Sequence, residues 1–549
     1  MTTTAPYGSW RSPITPASIV EGSVGLGQLV VDGDTVYWNE SRPTEAGRQV
    51  IVRRSPGGAV DDVLPPGFSA RTLVHEYGGL CYAVRAGVVW FTNFSDQRLW
   101  RVDPGDLPAP VTPEPPVPLS VRFADPVVTP DGAWIVCVRE RHLGGEVADV
   151  VNDIVAVPAA GGEPLVVCEG RDFYAAPRIS ADGRRLAWLE WDHPNMPWDG
   201  TVLRVGDLDH GPSVGASRVV AGGASEWVSQ PRWTGEGRLL FTSDRTGGWS
   251  NLYADDGGAG RALCHLEAEF SGPDWVFGQS TFDTLADGTL VAAWSSQGLD
   301  NVGVVAGGDA RRVEGPYTAV DDVHALGGRR AVVCGAGSAR EPVAVVRITV
   351  PGGAVEVLRA SRGAAVDPGF VSVPVPLEFP TGDGATAHAL FYPPTNEGFS
   401  APVGERPPLL VISHGGPTSA TSSRFNIGIQ YWTSRGFAVV DVNYRGSTGY
   451  GRDYRERLTG RWGIVDVDDC VDAARYLARE GRVDPDRMVI RGGSAGGYTT
   501  LAALTFRDTF AAGASHYGVA DAEALAVHTH KFESRYLDKL IGPYPEAID

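Results

Sequence analysis

The sequence predicts two architectures in one chain: an all-β seven-bladed propeller over residues 21–360, then an α/β domain over residues 371–549. Three observations carry this reading. A turn centred on glycine and followed by an apolar strand recurs seven times. Strand and helix patterns alternate after residue 370. A G-x-S-x-G pentapeptide, Gly492-Gly493-Ser494-Ala495-Gly496, lies between a strand pattern and a helix pattern.

Length and composition bound the problem first. At 549 residues the chain is too long for one core, so two or more domains are expected. Its 43% hydrophobic and 21% charged content is that of an ordinary globular protein. A net charge of −19 disfavours nucleic acid or an anionic membrane as partner. The start, "MTTTAPYGSWRSPITPASIV", has no basic segment followed by an apolar run, and no apolar run of spanning length follows anywhere. The cysteines, 81, 137, 168, 264, 334 and 470, lie far apart, several in apolar strand patterns, and read as free thiols in a reducing cytoplasm. No C-x-x-C or H-E-x-x-H spacing points to a metal, and no cofactor is expected.

After an N-terminal segment, 1–20, the repeat begins. It reads "VDGDTVYWN", "VRAGVVWFTN", "TPDGAWIVCV", "SADGRRLAWLEW", "TGEGRLLFTS", "LADGTLVAAW" and "LGGRRAVVCG". The marker glycines are Gly33, Gly87, Gly132, Gly183, Gly237, Gly288 and Gly328. Their spacing, about 40 to 54 residues, fits four short strands, the size of a propeller blade. Glycine permits the positive φ that a tight hairpin needs. A propeller can be a scaffold alone, so the repeat assigns no function.

In the α/β part, "VSVPVPLEFPT" and "ATAHALFYPP" alternate like antiparallel strands, and "PPLLVISHGGP" and "FAVVDVNYRGS" read as buried strands. "SSRFNIGIQYWTSRG" is helix-like. In "WGIVDVDDCVDAARYLAREG", Ile464, Val467, Val471, Ala474 and Leu477 share one helical face. Asp466, Asp468, Asp469 and Asp472 then fall at a solvated helix start. Such alternation gives a mostly parallel sheet with its sites at the C-terminal strand ends.

Ser494 is the candidate nucleophile. Met488-Val489-Ile490 precede it as a strand and 498–504 follow as a helix, which is the context an exposed serine elbow requires. A second match, Gly211-Pro212-Ser213-Val214-Gly215, lacks that context and reads as a loop. His414-Gly415-Gly416-Pro417 ends the strand "LLVIS". The N–H of Gly416, paired with that of Ala495, is the expected oxyanion hole. Tyr444 and Arg445 end the next strand, where they either line a substrate cleft or pack a turn.

Seven blades followed by "HGGP", "NYRGSTGYGRDY" and "GGSAGGYTT", in that order, resemble the prolyl oligopeptidase (S9) family of serine peptidases. "VHEYGG" at 74–79 and "PYGSWRSP" near the start are similar to the branch of dipeptidyl aminopeptidases and acylaminoacyl peptidases. The resemblance implies an α/β-hydrolase domain capped by the propeller, short-peptide substrates and an acyl-enzyme formed on Ser494. The sequence departs from the family in one respect. The family's catalytic aspartate and histidine follow later strands, so the resemblance places both beyond Asp549 and implies a C-terminally truncated, inactive chain. His516 reads as a packed core histidine, and His528 and His530 as surface positions on a helix, without shared facing. The alternatives are a non-catalytic binding protein with a degenerate hydrolase domain, or a carboxylesterase-type hydrolase. The oligomeric state is not readable.

Overall fold

The computed structural model describes residues 2–208, 213–258, 260–363 and 366–548. Seven four-stranded antiparallel sheets, spanning 25–62, 82–110, 121–168, 173–222, 228–262, 282–312 and 319–360, form blades 1 to 7 of a propeller. Each marker glycine sits in the hairpin between the first and second strands of its blade. All seven have positive φ, from +63° at Gly33 to +84° at Gly288, which is why glycine recurs there. Ser213 is followed by a strand of blade 4, while Gly211 and Pro212 lie outside the described residues.

Blade-to-blade hydrogen bonds at the axis hold the ring together. The first strand of five blades is bulged, with a non-glycine residue in the left-handed region: Gln28, Asp125, Ala176, Gln230 and Asp322. Four of these side chains accept an N–H from the next blade. Gln28 takes that of Cys81 (3.2 Å), Asp125 that of Ala176 (2.9 Å), Gln230 that of Thr281 (2.7 Å) and Asp322 that of Leu29 (2.5 Å). The last contact closes blade 7 onto blade 1, joined there by the ion pair of Arg359 with buried Glu40 (2.7 Å).

The α/β domain carries one six-stranded sheet. Its strands are β1 (Val375–Pro380), β2 (Thr386–Tyr392), β3 (Leu409–Ser413), β4 (Ala438–Asn443), β5 (Met488–Gly493) and β6 (Ala512–His516), in the order β1-β2-β4-β3-β5-β6. The pairs from β4 through β6 are parallel and the first two antiparallel. Helices α1 (Ile427–Thr433), α2 (Arg452–Glu456), α3 (Val465–Arg479), α4 (Ala495–Phe506), α5 (Ala522–His528) and α6 (Tyr536–Leu540) surround it. The apolar run of β4 is buried on both faces and that of β3 nearly so, as a parallel sheet demands, while β5 alternates buried and half-buried residues. The N-terminal segment packs on this domain: Thr3–Thr4 pair in parallel with Phe399–Ser400, and Arg435 donates to the Ile14 carbonyl (2.8 Å).

Helix α3 corrects two expectations. Val467, Val471, Ala474 and Leu477 are buried, but Ile464 stands before the helix and is 51% exposed. Asp466 and Asp469 are fully buried, not solvated. Asp466 accepts the Gly463 N–H (2.6 Å) and the Thr499 hydroxyl, and burial pushes its carboxyl up to about 6. Asp469 faces Arg445. All six cysteines are free, five of them buried, and no helix among the described residues is long and apolar enough to cross a membrane.

Candidate active site

Strand β5 and helix α4 are separated by Ser494 alone, so the chain reverses within one residue. Ser494 takes φ +54° and ψ −123°, a conformation that costs of order 1–3 kcal/mol and persists only where the surroundings impose it. Close approach dictates the flanking glycines. A Cβ on Gly492 would lie 2.2 Å from the Gly496 carbonyl oxygen, and one on Gly496 would lie 2.2 Å from the Ser413 oxygen. The strand end, the helix start and the end of β3 therefore touch backbone to backbone. Ser494 is exposed. Its N–H donates to the His516 carbonyl (3.1 Å), and its own carbonyl accepts the N–H of Gly497 (2.9 Å).

The His414–Pro417 turn lies against this serine. A Cβ on Gly415 would stand 3.2 Å from the Gly493 oxygen and 3.5 Å from Ser494 Cβ. Among the described hydrogen bonds, none uses the N–H of Gly416 or of Ala495. Ala495 is the first residue of a twelve-residue helix, so its free N–H also carries the positive end of the helix dipole.

His414 is locked in a structural role. Its Nδ1–H donates to the Gly415 carbonyl (2.8 Å), its Nε2 accepts from the Ser447 hydroxyl (2.7 Å), and its ring stacks on Tyr444 at 4.2 Å. Burial pushes the imidazole down to about 4, which keeps it neutral. Tyr444 and Arg445 are both buried and pack the turn. The Tyr444 hydroxyl bonds the carbonyls of His414 and Pro417 (3.2 Å each). Arg445 is held by Asp469 through its backbone N–H (2.7 Å) and its Nε and Nη2 (3.0 and 2.7 Å), and by Asp383 through Nη1 (2.7 Å).

The remaining histidines stand elsewhere. His516 is exposed on β6, not packed in a core, because β6 is the last strand in the sheet order and all five of its residues are exposed. His528 ends α5, whereas His530 lies beyond it, 3.6 Å from Glu533 and edge-on to Tyr77. No described hydrogen bond reaches the Ser494 hydroxyl. The sequence reading missed Asp469, Ser447, Tyr536 and Trp275. For Asp469 a signal existed: Asp466, Asp469 and Ala473 repeat at helical spacing along one buried side of α3. For the others there was none.

The fold with this elbow matches a solved puromycin hydrolase at a TM-score of 0.93 and 39% identity, over 99% of this chain and 85% of that one. The chain belongs to the prolyl oligopeptidase family. The model of that family matches residues 423–547. A puromycin-hydrolysing peptidase of Mycobacterium tuberculosis aligns equally well, at 41% identity and a TM-score of 0.93, over 99% of this chain and 85% of that one. Among curated relatives, dipeptidyl aminopeptidase BIII of Pseudoxanthomonas mexicana is 36% identical over 134 residues, which is 24% of this chain and 19% of the relative. The acylamino-acid-releasing enzyme of Arabidopsis thaliana is 40% identical over 97 residues, 18% of this chain and 13% of the relative. These matches thus span under a fifth of the length of those curated relatives.

Proposed function

We propose that this prolyl oligopeptidase family member is a serine peptidase acting on short peptides and aminoacyl amides through an acyl-Ser494 intermediate. The observation that carries this reading is the exposed, strained Ser494 with two free N–H groups, Gly416 and Ala495, beside it. Ser494 Oγ attacks the scissile carbonyl carbon and the carbonyl oxygen becomes an oxyanion. The two N–H groups and the start of α4 stabilise that charge. The amine leaves with a proton, and water then cleaves the acyl-serine. A base must take the Oγ proton. His414 cannot, since both its nitrogens are engaged and its imidazole is held near pKa 4. The described residues thus offer a nucleophile and an oxyanion site without a base bonded to Ser494.

We therefore expect the 549-residue chain to hydrolyse only at a trace rate. Removal of triad members in reference enzymes leaves about 10³–10⁴-fold acceleration over water. Puromycin is the substrate to test, because the solved relatives at 39% and 41% identity are named for hydrolysing it. Aminoacyl and acylaminoacyl nitroanilides separate the amine-selective from the acyl-selective branch. The expected result is trace, Ser494-dependent turnover and weak fluorophosphonate labelling, both abolished by Ser494→Ala. Strong labelling lost in both Ser494→Ala and His530→Ala or His528→Ala would overturn the account of the base. Hydrolysis unaffected by Ser494→Ala would overturn the assignment of the nucleophile. The free thiols suit a protein of the reducing cytoplasm.

A further inference from the structure

The oxyanion turn is gripped by the propeller. Residues 273–279, between blades 5 and 6, leave their own side of the ring and run across its axis. Asp274 anchors the start on blade 5, accepting the Trp227 indole N–H (2.8 Å) and the Ser229 hydroxyl (2.9 Å). Phe277 reaches the segment that leads into blade 2, where its N–H donates to the Gly78 carbonyl and its carbonyl accepts the Leu80 N–H, both at 2.9 Å. The approach is so close that a Cβ on Gly79 would lie 2.2 Å from the Phe277 nitrogen. A segment pinned at both sides of a ring has little freedom between the pins. Trp275 lies between them. Its indole N–H leaves the propeller and donates to the Thr418 carbonyl at 2.7 Å.

Thr418 is two residues past Gly416. Its N–H donates to the Tyr536 hydroxyl (3.0 Å), and its own hydroxyl shares a 2.7 Å bond with the same atom. The turn is folded on itself: a Cβ on Gly416 would lie 2.7 Å from the Thr418 nitrogen. Gly416 and Thr418 must therefore move together. The Trp275 ring also packs on Trp198 (4.6 Å), Tyr77 (5.1 Å) and Tyr536 (5.5 Å), so its place is fixed by both domains.

From this geometry we propose that Trp275 is a positioning residue for the reaction: through Thr418 it holds the Gly416 N–H where the oxyanion forms. The inference rests on the reading of Gly416 as an oxyanion donor. It makes the propeller part of the catalytic apparatus and not only a cap. A donor must stand about 2.7–3.1 Å from the developing oxyanion, and loss of one donor costs about 10²–10³-fold in kcat. Partial misplacement of one donor should cost less, about 10-fold.

Trp275→Phe tests this, because it keeps an aromatic ring, though a smaller one, among Trp198, Tyr77 and Tyr536 and removes the N–H. Tyr536→Phe, which removes the partner of the Thr418 N–H, is the reference variant and stands in if Trp275→Phe fails to fold. The first readout needs no catalysis: amide exchange at Thr418 in the 549-residue chain should rise about 10-fold, with β3 amides unchanged. The second is Ser494-dependent puromycin turnover, where kcat should fall about 10-fold and KM should change less than about twofold. Unchanged exchange at Thr418 would overturn the proposal whatever the activity. So would a rise in KM at constant kcat, since it would mean that Trp275 contacts substrate directly. Faster exchange in a protein with no Ser494-dependent hydrolysis would support the grip on the turn and reject the peptidase reading instead.

Discussion

Asp469→Ala should unfold the α/β domain at a much lower temperature, and the structure sets the size of the loss. Asp469 is fully buried and Arg445 is 4% exposed, so neither charge is hydrated. The carboxylate accepts the Arg445 backbone N–H and two guanidinium N–H groups. Its removal leaves a buried N–H unpaired and a buried cation with Asp383 alone, whose side chain is 45% exposed. Breaking a buried pair by removing one partner costs about 3–5 kcal/mol, and the surviving Asp383 contact puts this case near 3 kcal/mol. For a domain of this size, 1 kcal/mol shifts Tm by about 2–4 °C, so a fall of roughly 6–12 °C is expected. Thermal melts followed by tryptophan fluorescence and circular dichroism would read it, with Trp462 as the buried reporter in this domain. The double variant Asp469→Leu/Arg445→Met should recover most of the loss, since it leaves no uncompensated charge. A fall below about 2 °C, or a double variant that is worse than Asp469→Ala, would refute the reasoning.

Two further outcomes follow from the same physics. Eight carboxyls are raised by burial: Glu269 and Asp441 to about 7, Asp274, Asp300 and Asp466 to about 6, and Asp244, Asp321 and Asp469 in the same direction. A carboxyl raised in the folded state contributes stability that is fully present below its unfolded pKa, near 4, and is lost as pH rises through 6 to 7. Asp62 and Asp103, lowered by Arg42 and Arg101, act oppositely and lose their contribution below about pH 4. Tm should therefore peak near about pH 5. Asp441→Asn should raise Tm at pH 8 by roughly 5 °C and flatten the profile, and a profile that rises from pH 5 to 8 would contradict this. Gly496→Ala should remove Ser494 reactivity and lower Tm, because its Cβ would meet the Ser413 oxygen at 2.2 Å. Native-like fluorophosphonate labelling of that variant would show that the backbones can part without cost.

What the sequence made legible was whatever repeats locally. A positive-φ hairpin needs glycine wherever it occurs, so seven blades left seven glycines in register. The elbow was legible for the same reason, since three backbones meet at Gly492 and Gly496 and only glycine fits. Buried charge was not. The run "DVDDC" looks like a hydrated helix start because Asp is usually exposed. The helical spacing of Asp466, Asp469 and Ala473 marks one side of α3, but the partner that makes the burial of Asp469 tolerable, Arg445, lies 24 residues earlier. The axial bulges were hidden too: Gln28, Asp125 and Gln230 have no common sequence signature, and their function is to reach the next blade.

The oxyanion turn was least legible of all. Its fixed geometry depends on Tyr444, Tyr536 and Trp275, which come from three regions of the chain and meet only after both domains have folded. "HGGP" names the donors but not what holds them. Each of those three aromatics spends its polar atom on a carbonyl or N–H of the turn, and none of them carries a charge. The groups that bond the turn directly do not ionise near neutrality: burial holds the imidazole of His414 near 4 and drives the hydroxyls of Tyr444 and Tyr536 well above their usual range, whereas Asp274, which anchors the segment carrying Trp275, is raised to about 6. The pH dependence of any Ser494 chemistry then comes from the group that takes the serine proton, with Asp274 contributing only through the segment that carries Trp275.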